Sequence, residues 1–247
     1  MMSHYDDEGR VISKTVPMEG ARQIIAERMT HSILTMPQGT GMASLEVDNL
    51  LKFKAELLEK KGTKISIGDM MAKAAAHALT LAPELNASRE NGVITYYKSI
   101  NIGMMASIND VLMEPVIDNA QAKNIEEISS ELKKAYEYLK KGKLGRVKLY
   151  GSTFSISNLG MYPMDFLTPL ISPPLAAIMG IGRMTTVAGF REDGTVYPKK
   201  VMGVCLTNDH SIVDGVPVGR FLAGIQEAME DPWTYMYEVI SAEESEE

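Results

Sequence analysis

The sequence predicts a mixed α/β domain, an α+β arrangement around a mixed sheet. Three observations predict it. Amphipathic stretches of helical length alternate with short apolar runs of strand length, the last third is dominated by such runs, and no Pro/Gly/Ser-rich linker or internal repeat divides the chain. With 247 residues and 45% hydrophobic content, it can bury a substantial core. Residues 1–16, polar and carrying Asp6, Asp7 and Glu8, read as a flexible arm or an extended segment laid over a neighbour. Residues 17–238 read as the core domain, and 239–247 as an acidic, disordered tail.

In order, "GARQIIAERMTHSILT" places Ile24, Ile25, Met29, Ile33 and Leu34 at helical spacing, with charges on the other face. "GMASLEVD" follows as a strand. "NLLKFKAELLEKKG" reads as an amphipathic helix capped by Asp48 and stopped by Gly62. "SIGDMMAKAAAHALTLAPEL" is an almost wholly apolar helix ended by Pro83. "GVITYY", "NIGMMASI" and "EPVID" read as strands. The next helix, "NIEEISSELKKAYEYLKKGK", aligns Ile125, Ile128, Leu132, Tyr136 and Leu139. "STFSISNLG", "LAAIMGIGRM", "TVAGF" and "KVMGVCLTND" are strands, with a hairpin turn at Asp193-Gly194. A helix from Val218 to Met229 ends the fold.

Composition excludes several functions. The 25 basic and 32 acidic side chains leave a net charge of −7, which argues against general nucleic-acid affinity. The single cysteine, Cys205, rules out an internal disulfide and fits a reducing compartment. No CxxC or HExxH spacing predicts a metal site. With neither a secretory leader nor a long apolar run, the expectation is a cytoplasmic protein without membrane contact. The 18 methionines lie mostly in apolar stretches and read as core filling. "GIGRMTTVAG" lacks GxGxxG and a following helix, so no dinucleotide site is expected.

Among the four histidines, His77 reads as a buried, hydrogen-bonded structural residue, His31 as a helix-end residue, and His4 as part of the arm. His210, in "LTNDHSIVDG", closes an apolar run in a loop before the last helix. A neutral imidazole there can take a proton from a thiol or hydroxyl, given an orienting partner such as Asp209 or Asp214. Gly215 is expected to ease the turn. On pattern alone, a base and a polar strand end both remain open.

"HSIVDG" resembles the HxxxDG motif of the chloramphenicol acetyltransferases and of the catalytic domain of the dihydrolipoamide acyltransferases, core components of 2-oxo acid dehydrogenase complexes. "VPMEGARQIIAERMTHS", "LEVD", "PELNAS", "INIGMMAS", "PVIDNA", "GKLGRVKLYGSTFSISNLGMYP" and "SPPLAAIMGIG" resemble the second group in the same order, from about Thr15 to Tyr237. The resemblance implies a chloramphenicol acetyltransferase-like, trimer-forming fold. It also implies acyl transfer between coenzyme A and a dihydrolipoyl thiol, without an acyl-enzyme. His210 is then the general base and Ser157 the oxyanion donor. Asp214 is a structural acid paired with an arginine, with Arg22 and Arg28 as candidates. It further implies sites shared between subunits, His from one chain and Ser from the next, in cubic or icosahedral cages. Coenzyme A would act as acyl co-substrate, the lipoyl group would come in trans on a carrier protein, and 2-oxo acid dehydrogenase components would be partners. Lys140, Lys141, Lys143, Arg146 and Lys148 read equally as a coenzyme A phosphate contact and as a solvated helix end.

The chain departs from that pattern at Ser211, Val111, Glu114, Gln38, Pro163 and Leu175. Glu114 puts a carboxylate near the expected channel, which disfavours an anionic acyl group and leaves a cationic one open. Lipoyl and subunit-binding domains are not in the sequence, which leaves an excised core or a stand-alone one. Two alternatives stand beside the main reading: transfer to a different small acceptor (an alcohol, amine or carrier thiol), and a cage-forming scaffold of little activity.

Overall fold

The computed structural model describes residues 4–108 and 111–237. The tail expected at 239–247 lies outside them. The arm forms a two-stranded ribbon, β1 (His4–Tyr5) with β2 (Val11–Ile12). Helix α1 (Ala21–Thr35) follows, then β3 (Gln38–Glu46), α2 (Asp48–Lys61) and α3 (Ile67–Leu81). A hairpin of β4 (Ala87–Glu90) and β5 (Val93–Tyr96) precedes β6 (Ile102–Ile108), β7 (Val111–Met113) and β8 (Val116–Ile117). Then come α4 (Ile125–Lys140), β9 (Phe154–Asn158), β10 (Ala177–Phe190), β11 (Val196–Asp209) and α5 (Gly215–Glu230).

Among the described residues, β3, β11, β10, β9, β6 and β7 lie side by side in that order, with β8 also on β6, as one seven-stranded sheet. It is mixed: β9 runs parallel to both β6 and β10, and the other pairings are antiparallel.

Helices α2 to α5 lie on one face. Helix α3 is buried nearly all round, so its apolar residues need no polar face, and a reciprocal Ser66/Asp69 cap starts it. Asn124 and Glu127 start α4 the same way, and Ile125, Ile128, Leu132 and Leu139 face the core as their spacing predicts. Gly62 ends α2 in the left-handed region at φ 66°, where a side chain is disfavoured. Residues 160–175 cover the opposite sheet face. A Cβ on Gly203 would come 1.8 Å from the Asp165 carbonyl oxygen, so glycine here lets a backbone segment lie directly on the sheet. Within "GIGRMTTVAG", Gly180 and Gly182 likewise make room for Leu167 and the Asp165 carbonyl, while Gly189 lies under the Tyr197 ring.

Three sequence expectations fail locally. The apolar residues of α1 are not buried: Ile24 is 64% exposed, Ile33 59% and Leu34 78%, and Ser32 is the residue of α1 that is buried. The helix forms where its spacing predicts, but at about 100° per residue Ile24 and Ile33 lie on opposite sides of it, so its apolar residues make no single face, and among the described residues no element covers them. Helix α5 starts at Gly215 rather than Val218, because Pro217 sits in the first turn, where a missing N–H costs nothing. The two segments read as separate strands around residue 185 are one strand, β10, with a register shift between Ile181 and Met184.

Candidate functional site

His210 follows the last residue of β11. Its backbone N–H donates to the Pro37 carbonyl at 2.7 Å, and Gly39 leaves room for the ring, since a Cβ there would lie 3.1 Å from His210 Cδ2. The loop is held from beneath by Asp209, which is fully buried. Its Oδ2 accepts from Arg89 Nε at 2.8 Å, and its Oδ1 accepts from the Ser211 N–H and hydroxyl at 3.0 and 2.6 Å. Arg89 also donates to the Thr35 carbonyl at 2.6 Å, tying β4 to the end of α1. The imidazole itself is 54% exposed.

Asp214 lies at the start of α5, with its side chain 89% exposed and its Oδ1 3.9 Å from His210 Nδ1, beyond hydrogen-bonding range. The arginine pairing expected of Asp214 is made within this chain by Asp209, five residues earlier. Arg28 instead donates to the Pro173 carbonyl at 2.7 Å. Gly215 is not what makes the turn: its φ is ordinary and a Cβ there meets nothing within 4 Å. The Asp209 carbonyl makes the turn, accepting from Ile212 and Val213 N–H.

Ser157 sits on β9, between Met105 of β6 and Gly180 of β10. It lines a cavity of about 640 Å³ whose walls also include Met105, Leu112, Tyr136, Asn158 and Met184. Burial, and secondarily the Asp69 charge, push the Tyr136 hydroxyl up to about 12. Gly180 pairs with Ser157 on one side and Cys205 on the other. Two strand spacings of ~5 Å and five residues of ~3.3 Å therefore put His210 roughly 20 Å from Ser157 within one chain. The structure does not bring these two residues together in a single copy.

The Asp209–Arg89 pair was missed in part: Asp209 was visible beside His210, but nothing in the sequence ties it to an arginine 120 residues earlier. Several departures acquire roles. Ser211 braces Asp209. Gln38 donates to the Ser32 hydroxyl at 2.8 Å and accepts from Ile171 N–H. Leu175 packs with Met36, Ile171 and Ile178. Glu114 accepts from the Ser155 hydroxyl at 2.5 Å, and burial pushes its carboxyl above the usual range, against the hydroxyls of Ser155 and Ser152 and the charge of Arg28. Of the basic cluster, Lys148 pairs with Asp118 and Lys141 lies 4.0 Å from Glu137. His77 is hydrogen-bonded to Glu227 at 3.0 Å and stacked on Tyr235, as a structural histidine should be. Cys205 is buried, and burial raises its thiol. Among the described residues, no cluster of His, Cys, Asp and Glu could hold a metal ion, and no helix is long and apolar enough to cross a membrane.

A family model described as 2-oxoacid dehydrogenases acyltransferase (catalytic domain) matches residues 11–237. The chain belongs to this family. The dihydrolipoyllysine-residue acetyltransferase component of the pyruvate dehydrogenase complex of Rickettsia typhi is 35% identical over 223 residues, covering 89% of this chain and 55% of that protein. The chain thus spans about half the length of the curated relatives it matches. The cubic core of a pyruvate dehydrogenase multienzyme complex is similar in structure, with a TM-score of 0.84 and 25% identity over 95% of this chain and 98% of that one. Azotobacter vinelandii dihydrolipoamide acetyltransferase, whose structure was solved to examine a serine, a histidine and an asparagine in its mechanism, matches with a TM-score of 0.84 and 26% identity, at the same coverage. The fold is chloramphenicol acetyltransferase-like: a chloramphenicol acetyltransferase matches at a TM-score of 0.54 and 14% identity over 87% of this chain and 99% of that one.

Proposed function

We propose that this family member moves an acyl group between coenzyme A and a dihydrolipoyl thiol, at sites formed where copies of the chain meet. The observation that carries the reading is the separation of His210 from Ser157: each is accessible, yet roughly 20 Å lies between them in one copy. A second copy that brings its histidine loop against the Ser157 cavity completes the set. The uncovered apolar side chains of α1 support such contact, because Ile24, Ile33 and Leu34, spread around the helix, are exposed to water in a lone chain. In the Azotobacter enzyme, the histidine and asparagine under study are four positions apart, as His210 and Asp214 are here. A trimer, with cubic or icosahedral association of trimers, is the arrangement we assign, around a core domain at 17–238.

In this reading, His210 takes the proton of the incoming thiol and the thiolate attacks the thioester carbonyl. The new C–S bond places charge on the carbonyl oxygen, which receives a hydrogen bond from Ser157 of the adjoining copy. Collapse breaks the old C–S bond, and the imidazolium returns its proton to the departing thiolate. Asp209 with Arg89 fixes the loop that presents the ring. A lipoylated carrier presents the dihydrolipoyl thiol, and 2-oxo acid dehydrogenase components are the partners that load it with the acyl group.

The test is acyl transfer from acyl-coenzyme A to dihydrolipoamide by the assembled protein and by His210→Ala. Transfer in the wild type that vanishes in an equally assembled variant supports the proposal. Assembled wild type without transfer to any thiol would leave the scaffold reading.

A further inference from the structure

The cavity beside Ser157 is far larger than an acetyl group requires. Its volume is about 640 Å³, whereas a two-carbon group fills on the order of 60 Å³, two water volumes. The residues lining it include Met104, Met105, Met184 and Met202, together with Leu112 and Ile181. Unbranched thioethers adapt to aliphatic chains of varied shape, and such a lining offers little to a polar group.

Charge is distributed to the same end. Asp69 lies in the cavity wall, buried, with its Oδ2 accepting from Ser66 N–H at 2.8 Å and from the Ser129 hydroxyl at 2.7 Å. On the other side of Ser157, two residues back along β9, Ser155 holds the carboxylate of Glu114. That carboxylate has a built seat: a Cβ on Gly103 would lie 1.9 Å from Glu114 Oε1. The charge of Arg28 from α1 partly offsets Glu114, while its guanidinium is engaged with Pro173. No lysine or arginine lines the cavity among the described residues. An acyl carbonyl held at Ser157 therefore has Asp69 in the wall of its cavity, Glu114 seated two residues back along the strand, and apolar residues in the lining.

From this geometry we infer that the acyl group handled here is an uncharged aliphatic chain longer than acetyl, branched or of medium length, and that acyl groups ending in a carboxylate are rejected. The inference rests on Ser157 as the oxyanion donor and leaves the thioester exchange itself unchanged, one C–S bond formed and one broken.

The experiment is a donor panel with the assembled full chain and dihydrolipoamide: acetyl-, isovaleryl-, hexanoyl- and succinyl-coenzyme A. Isovaleryl or hexanoyl should exceed acetyl in kcat/KM by about tenfold or more, and succinyl should fall about tenfold or more below it. Leu112→Trp, at the exposed cavity mouth, should lower the hexanoyl-to-acetyl ratio by about tenfold. Glu114→Gln should raise the succinyl-to-acetyl ratio. A flat series, a preference for acetyl or succinyl, or ratios that neither variant moves would overturn the inference. Binding of the unreactive thioethers hexyl- and ethyl-coenzyme A separates the two levels of the proposal. If no donor turns over, acyl transfer fails as the function, yet hexyl binding about tenfold tighter than ethyl still supports the aliphatic pocket, and equal binding rejects it.

Discussion

The His210 loop and the Ser157 strand are built in opposite ways. Around His210, a loop is held by polar bonds: a buried carboxylate, an arginine from a distant hairpin and a serine hydroxyl fix the backbone while the ring stays 54% exposed. Around Ser157, sheet register does the positioning, with Met105 and Gly180 on either side and an apolar cavity in front. The difference matches the two tasks. A base must meet a mobile thiol and exchange protons with it, whereas an oxyanion donor must be prealigned in a place that water does not fill.

The largest effect should come from the polar side. His210→Ala is expected to lower kcat/KM for acyl transfer by about 10³-fold or more while light scattering shows the same assembly. A loss under tenfold would remove the base from the account. Ser157→Ala should follow, with kcat down about 10² to 10³-fold and KM little changed, because the donor acts on the transition state. A rise in KM with kcat intact would make it a binding residue.

Asp209 sharpens the contrast through stability. Arg89→Met leaves a buried carboxylate without its cation, and should destabilise the fold by about 3 kcal/mol, toward the low end for such pairs because Arg89 is partly exposed. Thermal unfolding compared with that of Ser157→Ala reads the difference. Equal stability would mean that Ser211 alone satisfies Asp209. The smallest effect belongs to Gly39→Ala, which crowds the His210 ring at 3.1 Å and should cost a few-fold in turnover with stability nearly unchanged.

How much of this was legible in the sequence follows the same division. Helical periodicity located α2, α3 and α4, and the Gly62 and Pro83 signals set the ends of α2 and α3 within a few residues, whereas Asp48 does not cap α2: it is the first helical residue and accepts from Lys200 N–H. Those features are local, and local chemistry decides them. Helix α1 forms where the spacing predicts, but its apolar residues are spread around it rather than gathered on one face, and they stay exposed in a single chain. His210 and Ser157 are identified by resemblance, and the fold places Ser157 on the interior strand β9 and His210 just past the end of β11, roughly 20 Å apart. The Asp209–Arg89 pair, and the seat of Glu114 over Gly103 and Ser155, join residues whose separation in the chain erases any pattern. Gly215 was given a conformational role that its backbone does not need, since ordinary hydrogen bonds from Ile212 and Val213 already form the turn.

The central claim is that one copy lends the imidazole and another the hydroxyl. Mixed assembly tests it most directly: His210→Ala and Ser157→Ala chains, each inactive alone, are co-expressed so that they combine. Random mixing in a cyclic trimer leaves about a quarter of the interfaces with both groups intact, so transfer should return to about a quarter of the wild-type rate. Activity no higher than that of either variant alone would contradict the shared site.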